Sequence, residues 1–297
     1  MRLLGEWDLP GHCGPIYALE CDYERKSLFS AASDGLIAEW RCLSGRQARA
    51  IAHTPSTVYA LHWLSAHELL YVGDSTGVVY VLDLKNKTLR RAIKAHQSAV
   101  FGIFSHPAES EGWSSGRDGK FIFWHVEESE PFANVYVTSA GLRGFILSPS
   151  FRGFWTAGRD GWVYEIDRAR KEVVRRVQVD PQLVFSIQLS PLRSSVATGG
   201  KSGYLKLWSA EMELLWEEPA HGSALNALAW HPGGRLLATG GRDKQIHVWD
   251  VVNRERRLTL QGHQRSVNAL LWITPDVLAS AGDDGLIKVW HLEGLPA

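Results

Sequence analysis

Short runs in which apolar side chains alternate with polar or small ones recur along the whole chain, bounded by Gly, Pro, Ser, Asn or Asp. Period-two alternation puts successive side chains on opposite faces of an extended strand, so these runs predict β-structure from end to end. The clearest are seven hexapeptides, IYALEC, VYALHW, VFGIFS, LRGFIL, VFSIQL, LNALAW and VNALLW, which start at Ile16, Val58, Val100, Leu142, Val184, Leu225 and Val267. Their third residues, Ala18, Ala60, Gly102, Gly144, Ser186, Ala227 and Ala269, are all small, as expected where innermost strands crowd around an axis. Turn signals such as His106-Pro107, Ser148-Pro149, Ser190-Pro191 and His231-Pro232-Gly233-Gly234 lie between the runs. The first unit then reads as four antiparallel strands near 14–21, 26–32, 36–41 and 46–51.

A second phrase fixes the register. Ser33-Asp34-Gly35-Leu36-Ile37-Ala38-Glu39-Trp40 returns as Arg117-Asp118-Gly119-Lys120-Phe121-Ile122-Phe123-Trp124, and again near 160, 202, 243 and 284. Aligned on its last residue it ends at Trp40, Leu82, Trp124, Ile166, Trp208, Trp249 and Trp290, with spacings of 42, 42, 42, 42, 41 and 41. Unrelated domains do not produce such regularity; seven copies of one unit do.

Periods near 42, with a Gly-His at the start and a Trp at the end, resemble the WD40 repeat family over the whole chain. The opening dipeptide reads Gly11-His12, Ala52-His53, Ala95-His96, Ala220-His221 and Gly262-His263, and a literal Trp-Asp closes the sixth copy at Trp249-Asp250. Trp7-Asp8 lies outside the register. The resemblance implies one all-β domain over residues 1–297, a seven-bladed β-propeller with four-stranded antiparallel blades. It also implies that residues 2 to 8 supply the outer strand of the last blade and so remove the open edge of the ring.

The family's structural tetrad of His, Ser/Thr, Asp and Trp is expected complete as His12-Ser30-Asp34-Trp40, His96-Ser114-Asp118-Trp124, His221-Thr239-Asp243-Trp249 and His263-Ser280-Asp284-Trp290. A Ser, a His and an Asp together suggest a hydrolase, but four buried copies whose hydroxyl sits between His and indole offer no free nucleophile. The tetrad decays in the second blade (Val72, Thr76, Leu82), the fourth (Thr138, Ile166) and the fifth (Asp180, Ser202).

Composition narrows the function. Lys+Arg and Asp+Glu are 32 each, so there is no global field drawing the chain onto nucleic acid or an anionic membrane. Cys13, Cys21 and Cys42 are odd in number and lack metal-ligand spacing, and no apolar run suits a signal segment or a membrane span. A cytoplasmic protein is expected, without cofactor or metal. None of the 12 His makes a ligand set by spacing.

Outer-strand charges alternate in sign around the rim: Arg168, Arg170, Lys171, Arg175 and Arg176 on the fourth blade and Arg254, Arg256 and Arg257 on the sixth, against Glu127, Glu128 and Glu130 on the third and Glu211, Glu213, Glu217 and Glu218 on the fifth. Such charges protect edge strands from pairing.

Two side-chain columns are expected at the narrow upper face, where the resemblance implies that partners dock. The second residue of each hexapeptide reads Tyr17, Tyr59, Phe101, Arg143, Phe185, Asn226 and Asn268; the residue before the turn Asp reads Ser33, Ser75, Arg117, Arg159, Lys201, Arg242 and Asp283. Aromatic rings at the channel mouth beside four consecutive cations suit a protein or peptide with an acidic or phosphorylated segment. The expected partner site is Tyr17, Tyr59, Phe101, Arg143, Phe185, Arg117, Arg159, Lys201 and Arg242. Single-stranded nucleic acid is a weaker alternative, opposed by the neutral net charge and the acidic rims. A channel enzyme lacks clustered carboxylates, a metal set and a phosphate loop.

Overall fold

The computed structural model describes residues 1–41, 47–105, 111–126 and 130–294, with the side chain of Gln47 left aside. Cys42, His106-Pro107, Glu127 and Glu128 fall outside the described residues. The chain folds into seven four-stranded antiparallel sheets. Blades 1 to 6 cover 16–53, 58–94, 100–136, 142–178, 184–219 and 225–261, each laid down inner strand first. The first blade's strands run Ile16–Asp22, Ser27–Ala32, Leu36–Arg41 and Gln47–His53, within two residues of their expected positions.

Blade 7 takes three strands from 267–293 and its outer strand from Arg2–Pro10, which pairs antiparallel with Leu286–Glu293 from Arg2↔Glu293 to Pro10↔Leu286. The seam is more than a backbone ladder. Leu9 is buried, and Asp8 accepts a 2.6 Å hydrogen bond from Lys288 Nζ, whose ammonium is itself buried beside the Trp290 ring. Asp8 thus neutralises a cation that the closed ring has removed from water.

A propeller sheet is covered on both faces by its neighbours, and that explains its second strands. SLFSAA, LLYVGD, GFWTAG, LLATGG and VLASAG are buried at every position, so apolar and small residues run continuously there instead of alternating. The core is correspondingly divided into seven apolar seams, one between each pair of adjacent blades, including blades 7 and 1. The seam between blades 3 and 4 is the most aromatic, with Trp113, Phe121, Phe123 and Phe154 fully buried and ring centroids 4.8 Å apart in the Trp113–Phe154 and Phe121–Phe154 pairs.

Crowding accounts for only part of the small third column. A Cβ on Gly102 would press on Ser115 and Phe145, whereas one on Gly144 would meet nothing within 4 Å. Gly144 lines the open channel instead.

Candidate functional site

All four expected tetrads form as hydrogen-bonded circuits. In blade 3, His96 Nδ1 lies 2.9 Å from Asp118, Nε2 lies 2.8 Å from the Ser114 hydroxyl, and Trp124 Nε1–H donates to that hydroxyl at 3.0 Å. Blades 1, 6 and 7 repeat this through Ser30, Thr239 and Ser280. One proton order satisfies every member: indole N–H to hydroxyl oxygen, hydroxyl O–H to Nε2, and Nδ1–H to carboxylate. Burial lowers the pKa of His12, His221 and His263 despite the attraction of Asp34, Asp243 and Asp284, which keeps the imidazoles neutral as that order requires.

The decayed blades are rewired. Ala52-His53 is one residue out of register: His53 is exposed at the end of its strand, and Thr54 occupies the place of the tetrad His, hydrogen-bonded to the Ser56 carbonyl at 2.8 Å. The turn carboxylate of blade 2 is Asp74, two residues ahead of Thr76 and fully buried, accepting from the Thr76 and Val78 amides and the Thr76 hydroxyl at 2.8–2.9 Å. In blade 4 Asp160 accepts from Thr138 at 2.8 Å and from the Tyr164 hydroxyl at 2.7 Å. Blade 5 reverses the polarity, with the acid at Asp180 accepting from Ser202 at 2.5 Å, while Trp208 still donates to Thr198 at 2.8 Å.

Backbone geometry builds the upper face. Every inner strand carries a register shift just after the first residue of its hexapeptide, so that strand holds one residue more than its partner. The extra residue is the second one, Tyr17, Tyr59, Phe101, Phe185, Asn226 or Asn268, and in blade 4 the break takes in Arg143 together with Gly144. A bulge of this kind re-aims a side chain that a regular ladder would hold against the sheet, and here all seven line the channel. One further hydrogen bond ties in the second column: the amides of Ser33, Ser75, Arg117, Arg159, Lys201, Arg242 and Asp283 each donate to the carbonyl that precedes the hexapeptide of their own blade.

The first column thus lines a channel of about 400 Å3, and the second is hydrogen-bonded through its amides to the strands that form it. The rings are half-buried and lean on one another: Tyr17 and Tyr59 centroids are 4.9 Å apart, Tyr59 and Phe101 5.0 Å. The Arg143 guanidinium lies 4.3 Å from the Phe101 centroid and 5.2 Å from that of Phe185. Burial brings the Arg143 pKa down to about 10, and nearby Arg159 and Arg117 push it the same way. Among the described residues the side chains of Arg117, Arg159, Lys201 and Arg242 pair with no carboxylate. On the opposite side, Asn226 donates to Ser266 and Asn268 donates to Asp283 at 2.7 Å.

The rim is mixed. Arg168 bridges to Glu111 at 2.8 Å, Arg175 to Glu165 at 3.6 Å, Lys206 to Glu217 at 3.3 Å and Arg257 to Glu255 at 2.5 Å, while Lys171 and Arg176 lie over the rings of Phe123 and Trp162. One cluster escaped the spacing argument: His221, Asp243 and His247 each bring a potential ligand atom within 4.8 Å of the others. Both nitrogens of His221 are committed to Asp243 and Thr239, and His247 Nδ1 faces the Thr259 hydroxyl at 3.0 Å. Those bonds give the cluster a structural role. Among the described residues no helix is long and apolar enough to cross a membrane.

Comparison with known proteins follows the same register. A family model of the WD domain, G-beta repeat, matches residues 212–250 and 254–291. Similar proteins include the guanine nucleotide-binding protein subunit beta-5b of Danio rerio, 22% identical over 95% of this chain and 74% of the relative. WD repeat-containing protein slp1 of Schizosaccharomyces pombe is 24% identical over 95% of this chain and 51% of the relative, and the 66 kDa stress protein of Physarum polycephalum is 32% identical over 96% and 47%. The chain thus spans about half the length of the last two. Each matched repeat starts at or near the outer strand of one blade and ends on the third strand of the next, which is also how the N-terminal strand completes blade 7. With that offset repeated around a closed ring of seven blades, the chain belongs to the WD40-repeat family.

Proposed function

We propose that the chain is a non-catalytic interaction module that binds an acidic or phosphorylated segment of a protein partner across the upper face of blades 3 to 6. The observation that carries this reading is a row of unpaired charge: rim cations such as Arg168, Arg175 and Arg257 sit on carboxylates, while among the described residues Arg117, Arg159, Lys201 and Arg242 pair with none and stand on turns hydrogen-bonded to the strands that line the channel. Arg matches carboxylate and phosphate oxygens with a planar fork, and rigid rings add contact area at low entropic cost. Half-buried Tyr59, Phe101 and Phe185 can meet a ligand at their remaining edges. Similarity to a guanine nucleotide-binding protein subunit supports a protein partner. Catalysis finds no support in the tetrads, whose hydroxyls are held between imidazole and indole.

Affinity purification with the full chain, wild type beside Arg117→Glu/Arg159→Glu, tests the reading. The double variant should stay folded, lose its partner, and in wild type the complex should weaken as salt shortens the screening length from about 10 Å at 0.1 M to about 3 Å at 1 M. A folded double variant that keeps every partner at unchanged affinity would refute the upper face as the docking surface.

A further inference from the structure

Arg143 differs from the six residues that share its position. Tyr17, Tyr59, Phe101 and Phe185 pack ring on ring or against Arg143, and Asn226 and Asn268 spend their amides on neighbouring oxygens. Of the seven, only Arg143 carries a charge. Phe101 and Phe185 lie within cation–π distance of its guanidinium, which leaves the in-plane N–H edge as its means of binding anything else. Its Nε is buried without a hydrogen-bond partner among the described residues, and unlike the buried indole nitrogens of Trp63, Trp113 and Trp155, which lack one too, it belongs to a side chain that lines an open channel. Arg117 and Arg159 flank the same spot from the turns of blades 3 and 4: the Arg117 backbone packs against Gly141, the Arg159 amide donates to the Gly141 carbonyl at 2.9 Å, two residues before Arg143, and both charges push the Arg143 pKa down.

We infer that Arg143 anchors a phosphate site at the channel mouth, and that this site takes the phosphorylated side chain of the docking segment. The inference rests on the docking reading above and narrows it from acidic or phosphorylated to phosphorylated. A carboxylate has two oxygens and one charge, which the edge of a single arginine satisfies, so Arg117 and Arg159 would stay uncompensated. A phosphate monoester brings three terminal oxygens and a charge of about −1.5 to −2, which matches three converging cations. Asp283, across the mouth, confines the anion to the side of blades 3 to 5.

The test titrates the full chain with a Gly-phosphoserine-Gly peptide, its Gly-Glu-Gly counterpart and inorganic phosphate, following heat and the Arg Nε–Hε resonances. The phosphopeptide should move the Arg143 resonance and bind at least about tenfold more tightly than the glutamate peptide, a gap of about 1.4 kcal/mol. Binding should strengthen from about pH 5 to about pH 7.5 as the phosphate gains its second charge near pKa 6. The groups facing Arg143 are Arg117, Arg159, Tyr17 and Tyr59, with Asp283 beyond Tyr17, and residues of these types ordinarily titrate outside that window.

Arg143→Lys keeps the charge but loses the planar edge and should weaken the phosphopeptide about tenfold. Arg117→Gln/Arg159→Gln, at positions nearer the surface, should weaken it comparably and gives a readout that does not depend on how Arg143→Lys folds. Equal affinity for the phosphate and glutamate peptides, or no effect of either variant, overturns the phosphate site and leaves acidic docking standing if Arg117→Glu/Arg159→Glu still loses its partner. Tighter binding of inorganic phosphate than of the phosphopeptide overturns a protein segment as the source. Retention of the partner by that charge-reversal variant overturns the docking reading itself.

Discussion

The molecule contains two polar systems within one fold, and they differ in how completely their hydrogen bonds are made. In the circuit of blade 3, His96, Ser114, Asp118 and Trp124 form a closed chain in which each donor meets an acceptor. At the channel mouth, among the described residues, Arg143 Nε meets none, and neighbouring Arg117 and Arg159 face no carboxylate. Satisfaction marks a group as structural, because its energy is already spent on the fold; an unmade bond beside an open channel, unlike one sealed in the core as at Trp113, is where a ligand can still gain.

That contrast can be tested first where the fold depends on it most. Removing residues 1 to 9 should cost several kcal/mol, because it strips the outer strand from blade 7, loses most of one apolar row and leaves buried Lys288 without Asp8. An unchanged denaturation midpoint would mean that the ring closes by other means. Trp124→Ala should cost about 3–5 kcal/mol through lost volume and a broken circuit. Its effect on partner binding should be limited to what partial unfolding explains, and equilibrium denaturation with binding measured on the folded fraction separates the two. A cost below about 0.5 kcal/mol would demote the circuit from its anchoring role.

Acid should loosen the circuits before it touches the mouth. Burial lowers the folded-state pKa of His12, His221 and His263, and it brings His247 to about 4, helped by neighbouring His221 and Arg256. The unfolded chain therefore binds protons near pH 6.5 that the native chain refuses. Stability is highest above that value and falls as pH drops from about 6.5 towards about 4. Urea midpoints across this range should decline steadily, and a flat profile would contradict neutral, buried imidazoles. Smallest of all, Arg175→Ala on the rim should change stability by at most about 1 kcal/mol, since its partner Glu165 is reached at 3.6 Å in a partly exposed pair. Partner capture should not change; a loss would move the docking surface outward.

Much of the fold was legible because a ring of blades repeats one local solution. The 42-residue period and the strand positions follow from patterns within a single unit, and the four complete circuits and the closure by residues near the N-terminus from the family resemblance that those patterns carry. Legibility failed where one residue of offset changed the meaning. Ala52-His53 imitates the opening dipeptide, yet Thr54 stands in the circuit position, and the acid of blade 2 is Asp74 instead of a residue at the expected place. His221 and His247 are 26 residues apart with ring centroids 4.7 Å apart, a proximity that only the pairing of strands reveals.

The sequence by itself determined the number of blades, the order of their strands and which residue types reach the upper face, because hydrophobic periodicity and turn chemistry act over a few residues. Tertiary structure decided what those residues do there. A bulge in each inner strand turns the second residue of the hexapeptide into the channel, and closure of the ring then sets Phe101 and Phe185 on either side of Arg143 from the two flanking blades. No local pattern can encode that contact, since it depends on the angle between three sheets packed face to face, and pairing of a charge is a property of the space around it.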